Sequence, residues 1–307
     1  MKPKRPLSMI AIDRLRTRAL ESLQPLLTLA LDEDIGPGDL TSDVLIDTET
    51  GAEADMVAKE VGTVAGLALV EAICHRVDGR LAVSGAIEDG TRVVRGDVLC
   101  HIAGPVRPAL TVERTLLNFV QALSGIATYT ARFVDAVKHT HALILDTRKT
   151  TPGWRYLEKY AVRMGGGTNH RTGLHDGVLI KDNHMAVRAP DHVGDTIAGL
   201  VHEARQRVSA GIPIQVEVER LDYLEEVLAA GPDVVLLDNM KPHRLREAVR
   251  RRDRMFAEGK GPALEASGGI TLRNVRTVAE TGVDRISVGA LTHSAPVLDI
   301  SLDIRPE

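Results

Sequence analysis

The sequence predicts an α/β protein in which an α+β amino-terminal domain is followed by an incomplete, TIM-like α/β barrel. The first observation is a change in the sequence pattern along the 307 residues. Short segments of varied type are followed, after about residue 137, by apolar runs that alternate with helical stretches. The second is that these runs are rich in Val, Ile and Leu with little polar alternation, which is typical of parallel strands covered on both faces. The third is the interval between runs, about 20 to 37 residues, which fits βα units.

We expect three parts: a tail or loosely attached helix over 1–25, an α+β domain over 26–125, and the barrel over 126–307. In the α+β domain, one helix should end near Gly36 and a turn should lead into a strand. The stretch 53–77 then predicts a strand, a glycine turn and a helix, and 81–104 predicts strands separated by turns such as Asp89-Gly90. The stretch 90–104 is also similar to a biotinyl or lipoyl carrier barrel, but it lacks the lysine that would carry the cofactor.

A long helix is predicted from Leu110 to Val137, because apolar residues recur there at three- and four-residue steps. The barrel is predicted from the strands that follow, with an open, doubly wound sheet as the alternative. The predicted strands are Ala142–Leu145, Gly177–Ile180, Ile214–Val218, Val234–Leu237, Ala263–Ala266 and Arg285–Val288. In a barrel of this kind, functional residues lie at the carboxyl ends of the strands and in the loops that follow.

Composition excludes several classes of protein. With 44% hydrophobic and 26% charged residues the chain should fold into a globular protein. A net charge of −4 and only 3% aromatic residues argue against a nucleic-acid partner. No window reaches the roughly 18 apolar residues of a membrane span, and the basic amino terminus lacks the apolar run of a signal peptide. We therefore expect a cytoplasmic protein with no membrane partner, in which Cys74 and Cys100 are reduced core thiols.

The densest set of candidate site residues lies between 148 and 184, a segment that contains seven Lys and Arg residues and only three acidic residues. Such a concentration of positive charge in an acidic chain predicts a site for a small molecule with several negative charges. Three of the cations follow one another at four-residue steps and are predicted to face water: Arg155, Lys159 and Arg163. Four others lie beside strands and glycines and are the candidates for anion binding: Arg148, Lys149, Arg171 and Lys181. The glycine triplet 165–167 would let the backbone approach a ligand closely.

Lys181 ends a predicted strand and has two possible functions. It could form a Schiff base if it were a neutral amine, or it could serve as a point charge for a carboxylate. Glu217 and Asp238 lie at the ends of two neighbouring strands, where they could hold Mg²⁺ or sugar hydroxyls, or could be structural. The glycine turns after the last two strands, 267–269 and 287–290, resemble barrel phosphate sites. The histidine spacing does not predict a zinc site.

Several strings, in this order, resemble the type II phosphoribosyltransferases, and specifically the quinolinate phosphoribosyltransferase family. The matching strings are ERTLLN (113–118), DTRKTTPGWR (146–155), GGGTNHRTGLHDGVLIKDNH (165–184), VEVE (216–219), LLDN (236–239), SGGI (267–270) and VGALTHS (288–294). The similarity extends from about residue 26 to the end. It implies a pentosyltransferase that makes nicotinate mononucleotide, pyrophosphate and CO₂ from quinolinate and phosphoribosyl pyrophosphate in de novo NAD biosynthesis. It also implies Mg²⁺, a homodimer and no organic cofactor.

The resemblance also implies roles for individual residues. The implied quinolinate-carboxylate contacts are Arg148, His170, Arg171 and Lys181. Contacts to phosphoribosyl pyrophosphate and its metal are implied for Lys149, Glu217 and Asp238, with Thr147 also in the substrate site. The implied 5′-phosphate loops are Ser267-Gly268-Gly269 and Gly289-Ala290-Leu291. Arg114 would enter the neighbouring subunit's site, although an arginine beside an apolar helix face can also be an ordinary surface residue.

Three other functions stay open at this point. The first is a related phosphoribosyltransferase that acts on nicotinate or another acid without decarboxylation. The second is an aldolase that forms a Schiff base on Lys181. The third is a phosphosugar-binding protein without catalytic activity. The number of cations favours a substrate with two carboxylates over one with a single carboxylate.

Overall fold

The computed structural model describes residues 12–188, 193–257 and 260–306. Its helices are α1 (Ile12–Ile35), α2 (Leu40–Leu45), α3 (Val70–Val77), α4 (Val106–Val137), α5 (Arg155–Met164), α6 (Asp182–Arg188), α7 (Val193–Arg207), α8 (Leu224–Ala229), α9 (Pro242–Met255), α10 (Val275–Ala279) and α11 (Ala290–His293). Its strands are β1 (Gly51–Ala58), β2 (Gly62–Thr63), β3 (Ala82–Ser84), β4 (Arg92–Val93), β5 (Val98–Pro105), β6 (Leu143–Leu145), β7 (Val178–Ile180), β8 (Ile214–Val218), β9 (Val234–Asp238), β10 (Ala263–Ser267), β11 (Arg285–Ser287) and β12 (Ile300–Pro306).

The described residues form two compact units. The barrel unit comprises 132–149 and 167–290, and the α+β unit comprises 12–131, 150–166 and 291–306. The two units are interleaved along the chain, because 150–166 and the segment after the barrel strands both belong to the α+β unit. The expected boundaries at 25 and 125 stay a prediction. The return is made by β12, which pairs antiparallel with β1 from Ala52↔Pro306 to Ala58↔Ile300.

The barrel unit contains one parallel sheet of six strands in the order β6-β11-β10-β9-β8-β7. Chain neighbours are sheet neighbours throughout, except that β6 and β7 lie at opposite edges, which is the order of a barrel left open between them. Four of the five residues of each central strand β8, β9 and β10 are buried. These strands therefore carry the barrel core, and the expected incomplete α/β barrel is confirmed, with each predicted strand matched to within about a residue.

The α+β unit is built on a four-stranded antiparallel sheet in the order β12-β1-β5-β3, with β2 and β4 forming a separate pair. Every second residue of β1 is buried, and these residues are Ala52, Ala54, Met56 and Ala58. The face of the sheet that carries these side chains is therefore packed in the hydrophobic core of the α+β unit. Both cysteines are buried in this unit, and burial raises the pKa of each thiol to about 12.

Two expectations for the amino-terminal region need correction. Of the two alternatives for this region, residues 12–25 form the helix and not the tail, but this helix is not loosely attached, because it buries Leu15, Ala19 and Leu23, one turn apart. Residues 1–11 of the same expectation lie outside the described residues. The strand expected after Gly36 is instead the helix α2. Asp39 explains the difference, because its side chain accepts a hydrogen bond from the amide of Ser42 and caps that helix.

A third correction concerns α5, whose cations were expected to face water. Lys159 is 0% exposed, and residues 157–162 of this helix are all buried. The helix packs against α1 within the α+β unit. Gly165, the first glycine of the triplet, is also explained by packing, because a Cβ there would lie 2.3 Å from the carbonyl oxygen of Ala127 on α4. Close approach to a ligand is therefore not what requires this glycine.

An aromatic stack between α4 and the residue just before α5 allows a direct test of stability. The rings of Phe119 and Trp154 lie 4.8 Å apart, with 9° between their planes. Because Phe119 is 3% exposed, Phe119→Ala is expected to lower the free energy of unfolding by about 3–5 kcal/mol. Urea titration measures this loss, and Trp154, the single tryptophan, should shift its native fluorescence. The control Phe133→Ala also removes a buried ring but should leave that native emission unchanged; equal shifts in both variants would contradict the stacking argument.

Candidate active site

Residues predicted to be functional meet at the carboxyl edge of the parallel sheet. Lys181 follows β7, Glu217 lies near the end of β8, and Asp238 ends β9. The register pairs Asp238 with Ser267, the last residue of β10. The Nζ atom of Lys181 lies 2.8 Å from an Oε atom of Glu217. The predicted strand-end residues are therefore brought together, as expected for a parallel sheet.

The ion pair of Lys181 bears on its two possible functions. The side chain is 41% exposed, and its partner Glu217 is 12% exposed. A carboxylate at this distance stabilises the charged ammonium, whereas a Schiff-base nucleophile needs the neutral amine. The geometry therefore favours Lys181 as a point charge that a substrate carboxylate can share or take over.

Three carboxylates form a cluster at the same edge. One oxygen from each of Glu217, Glu219 and Asp238 lies within 4.8 Å of the others. Sequence reasoning singled out Glu217 and Asp238 but missed Glu219, which lies two residues beyond Glu217. The period-two alternation of a strand places residues i and i+2 on one face, and this signal in VEVE could have found it.

The segment after β6 brings three more predicted residues to this edge. Thr147, Arg148 and Lys149 follow the last residue of the strand, and the Lys149 amide donates to the Thr147 hydroxyl at 3.0 Å. Thr147 and Arg148 are half-buried, and Lys149 is exposed. These residues therefore stand in the loop position where barrel enzymes carry functional groups.

The segment Thr168–His170 is fixed beside β6. Thr168 forms a parallel bridge with Leu145, and its amide donates to the carbonyl of Ile144 at 2.8 Å. The carboxylate of Asp146, which is fully buried, accepts from the Asn169 side chain at 2.6 Å and from the His170 amide at 2.8 Å. The buried carboxylate of Asp146 therefore fixes the backbone just before Arg171.

Arg171 continues this segment and lies close to a second cation. Its Nη1 atom donates to the carbonyl of Gly177 at 3.0 Å. Burial lowers the pKa of Arg171, and the neighbouring charge of Arg148 lowers it further. Arg148 and Arg171 are both half-buried and repel each other. An anion that binds between them would neutralise both charges, so the pair favours an anionic ligand.

The glycine turn after β10 is held tightly against the end of β9. Gly268 has a φ of +92°, and a Cβ there would lie 2.9 Å from the backbone of Asn239, so only glycine fits. The Asn239 amide donates to the carbonyl of Ser267 at 2.8 Å. Asn274 fixes the rest of the turn by donating to the Gly269 carbonyl and accepting from the Thr271 amide; its side chain does not cap α10.

The second predicted phosphate turn follows β11. Gly289 and Ala290 are half-buried and lie in the barrel unit. Leu291 is 0% exposed, so only its backbone could meet a ligand. Arg114 is exposed on α4 and belongs to the α+β unit. It is therefore not one of the site residues that lie together within the barrel unit.

A charged group inside the barrel was missed by sequence reasoning. Glu265, in the middle of β10, is 0% exposed, and its oxygens lie 2.8 Å from the Nε atom of Arg285 and 3.3 Å from the Nε2 atom of His170. Burial alone would raise the pKa of this carboxyl, but the side chains of His170 and Arg285 beside it lower the pKa to about 2. The carboxyl is therefore ionised and compensated inside the core.

Two cavities border these residues. The larger, about 520 Å³, is an apolar groove between β7, α6 and α7, lined by residues such as Leu179, Val187 and Leu200. The smaller, about 20 Å³, lies among His170, Arg171, Gln215 and Arg285. Arg171 lines the smaller cavity, whereas Lys181, Glu217 and Asp238 line neither of the two.

The protein is an α/β barrel with cations, carboxylates and glycine turns at the carboxyl ends of its strands. These features place it in the class of barrel proteins that bind multiply charged anions. Comparisons with known proteins specify the family. The C-terminal domain model of quinolinate phosphoribosyl transferase matches residues 126–303, and the N-terminal domain model matches 39–124. The chain belongs to the quinolinate phosphoribosyl transferase family.

Curated relatives and solved structures agree with this assignment. A nicotinate-nucleotide pyrophosphorylase [carboxylating] of Mycobacterium leprae is 44% identical over 90% of this chain and 94% of that protein. A probable enzyme of the same name from Bacillus subtilis is 42% identical over 92% and 93%. The crystal structure of NadC from Streptococcus pyogenes has a TM-score of 0.84 and 37% identity, and covers 94% of this chain and 98% of that one.

Among the residues that the structure describes, no helix combines the length and the apolar character needed to cross a bilayer.

Proposed function

We propose that this chain is a quinolinate phosphoribosyltransferase. It converts quinolinate and phosphoribosyl pyrophosphate into nicotinate mononucleotide, pyrophosphate and CO₂, a pentosyltransfer step of NAD biosynthesis. The observation that carries the proposal is that a chain matched to both domains of the family groups cations and carboxylates at one edge of its barrel sheet. Relatives at 44% and 42% identity bear the name of this activity.

The two carboxylates of quinolinate account for the cations. Arg148 and Arg171 lie close enough to perturb each other, and Lys181 ends the neighbouring strand β7. A substrate carboxylate would relieve the repulsion between the arginines and would compete with Glu217 for Lys181. The resemblance also assigns His170 to this set.

The second substrate carries a phosphate and a pyrophosphate. Lys149, exposed after β6, is the proposed cation for it, with Thr147 beside it. The turns Ser267–Gly269 and Gly289–Leu291 are the proposed 5′-phosphate loops, since glycine turns expose backbone amides to phosphate oxygens.

The carboxylate cluster fits a hard divalent cation. Three oxygens within 4.8 Å of one another, from two half-buried residues and one exposed residue, form a donor set suited to Mg²⁺. Glu217 and Asp238 would hold the ion, directly or through water, with Glu219 as a third oxygen donor. When bound, Mg²⁺ supplies charge screening for the pyrophosphate that leaves.

The protein's own part in the reaction is positioning and charge stabilisation. Loss of pyrophosphate builds positive charge on the ribose, which a carboxylate such as Glu217 or Asp238 can stabilise. Attack by the pyridine nitrogen needs a fixed orientation, which the carboxylate contacts provide. The nitrogen then becomes cationic and accepts the electron pair released with CO₂, so the substrate itself serves as the electron sink.

The proposed assembly is a homodimer in which Arg114 reaches the partner's active site. This role rests on the resemblance of ERTLLN and on the exposure of Arg114 on α4. A cytoplasmic location stays a prediction.

A purified-protein assay tests the function. Pyrophosphate and CO₂ should be released in equal amounts when quinolinate and phosphoribosyl pyrophosphate are supplied with Mg²⁺. Nicotinate in place of quinolinate should give little product, because it brings one carboxylate to a site built for two. Turnover of nicotinate at the quinolinate rate would instead favour the phosphoribosyltransferase that does not decarboxylate.

Replacing Asp238 tests the metal and sugar role. Asp238→Asn should weaken Mg²⁺-dependent binding of phosphoribosyl pyrophosphate at least tenfold, roughly the loss that follows removal of even an outer-shell contact. Titration calorimetry with and without Mg²⁺ measures the change. The control Asp222→Asn alters an exposed carboxylate that pairs with Arg220, and binding should persist. If Asp238→Asn melts far below wild type with donor binding intact, Asp238 is structural instead.

A further inference from the structure

Glu265 is a buried charge that the proposed reaction does not use. Its side chain is 0% exposed, and its two oxygens face different partners, the Nε atom of Arg285 at 2.8 Å and the Nε2 atom of His170 at 3.3 Å. The guanidinium of Arg285 and the ring of His170 therefore compensate the burial of this carboxylate, and the cost of burying it points to a function.

The His170 ring connects Glu265 to Arg171. On the side away from Glu265, the Nδ1 atom of His170 accepts a hydrogen bond from the Arg171 amide at 2.8 Å. A ring nitrogen that accepts carries no proton, so the neutral ring bears its proton on Nε2, facing Glu265. A second proton on the ring would occupy Nδ1 and break the bond to the amide.

The backbone on the other side of His170 is fixed as well. Its amide donates to buried Asp146, which also accepts from Asn169. The Arg171 guanidinium is steadied at its far end by the Gly177 carbonyl. The His170 ring therefore supplies the bond that fixes the peptide group of Arg171, and Glu265 sets the orientation of that ring.

We propose that Glu265 is a positioning residue which, through the His170 ring, fixes the backbone of Arg171 and so the guanidinium offered to the substrate's carboxylate. The identity of that substrate rests on the proposed function. Both ring nitrogens of His170 face protein atoms, so the ring connects the buried carboxylate to the Arg171 backbone.

A spectroscopic measurement on the wild-type protein tests the geometry without any turnover. In ¹⁵N spectra of histidine-labelled protein, the His170 ring should show a protonated Nε2 and an unprotonated Nδ1 at neutral pH. The His170→Gln variant identifies these resonances by their loss. An Nδ1-protonated ring or an imidazolium would overturn the proposal, whether or not the protein turns over quinolinate. A failure of the proposed function is therefore distinguishable from a failure of this inference.

Kinetics of Glu265→Gln test the consequence for binding. The variant keeps the shape and removes the charge, so the KM for quinolinate should rise at least about tenfold, while that for phosphoribosyl pyrophosphate should change less than about twofold. The double variant with His170→Gln should be no worse than His170→Gln alone, because both changes remove the same orientation. Losses that multiply would overturn the proposal.

A matched variant separates positioning from stability. Asp284→Asn alters another carboxylate of the barrel unit, which accepts from the Leu264 amide at 2.7 Å and pairs with Arg252. It should lower the melting temperature and leave the KM for quinolinate unchanged. If Glu265→Gln behaves in the same way, Glu265 is only structural and the proposal is wrong. If Glu265→Gln does not fold, the wild-type ¹⁵N spectrum still decides.

Discussion

Replacing Arg171 with alanine should lower kcat/KM for quinolinate by about 2–4 kcal/mol, which is roughly a 30- to 900-fold loss. The guanidinium is half-buried, its pKa is lowered by burial and by Arg148, and one of its nitrogens is already held by Gly177. A substrate carboxylate bound there is largely desolvated, so removal of the cation leaves the anion without its partner. Steady-state kinetics at saturating phosphoribosyl pyrophosphate measure the loss.

The same variant should bind phosphoribosyl pyrophosphate almost as tightly as the wild type does, because the proposed donor contacts lie on other loops. Arg276→Ala is a suitable control, since that arginine is exposed and pairs with Glu280 on one helical turn. The control should leave both substrates unaffected. Equal weakening of quinolinate and donor by Arg171→Ala would refute the assignment of Arg171 to the diacid pocket.

The barrel strands could be predicted because each is an apolar run of the right length in a regular βα pattern. The predicted run Ile214–Val218 is β8 itself. The strand β12 could not be predicted in this way, since its stability comes from pairing with β1, nearly 250 residues earlier in the chain. The helix α2 was mistaken for a strand because its residues are mostly apolar or β-branched, and one capping bond from Asp39 decides the local structure.

Prediction of the candidate site had a similar limit. Lys181, Glu217 and Asp238 could be found because they are polar residues at strand ends, where a parallel sheet brings loops together. Glu265 lies inside an apolar run, and nothing local shows that His170 and Arg285 compensate its charge. Lys159 shows the reverse case: four-residue spacing indicates a helix but does not say that tertiary packing buries its charged face.

Mixing two inactive variants should restore activity if Arg114 completes the partner's active site. Arg114→Ala and Lys149→Ala alter cations on different units of the chain, one on α4 and one after β6. Each variant alone should lose most activity, because every site of its homodimer lacks one cation. In a mixed dimer with shared sites, one site carries both defects and the other carries none.

Random exchange of equal amounts makes about half of the dimers mixed, and each mixed dimer has one intact site of two, so activity should return to roughly a quarter of the wild type. Differently tagged subunits, recovered together on one affinity resin, verify that exchange has occurred. Arg148→Ala mixed with Lys149→Ala is the control: both residues lie in one loop of the barrel unit, so no mixed site is intact and no activity should return. Absence of recovery for the Arg114 pair, despite verified exchange, would place Arg114 in its own subunit's site or outside any site.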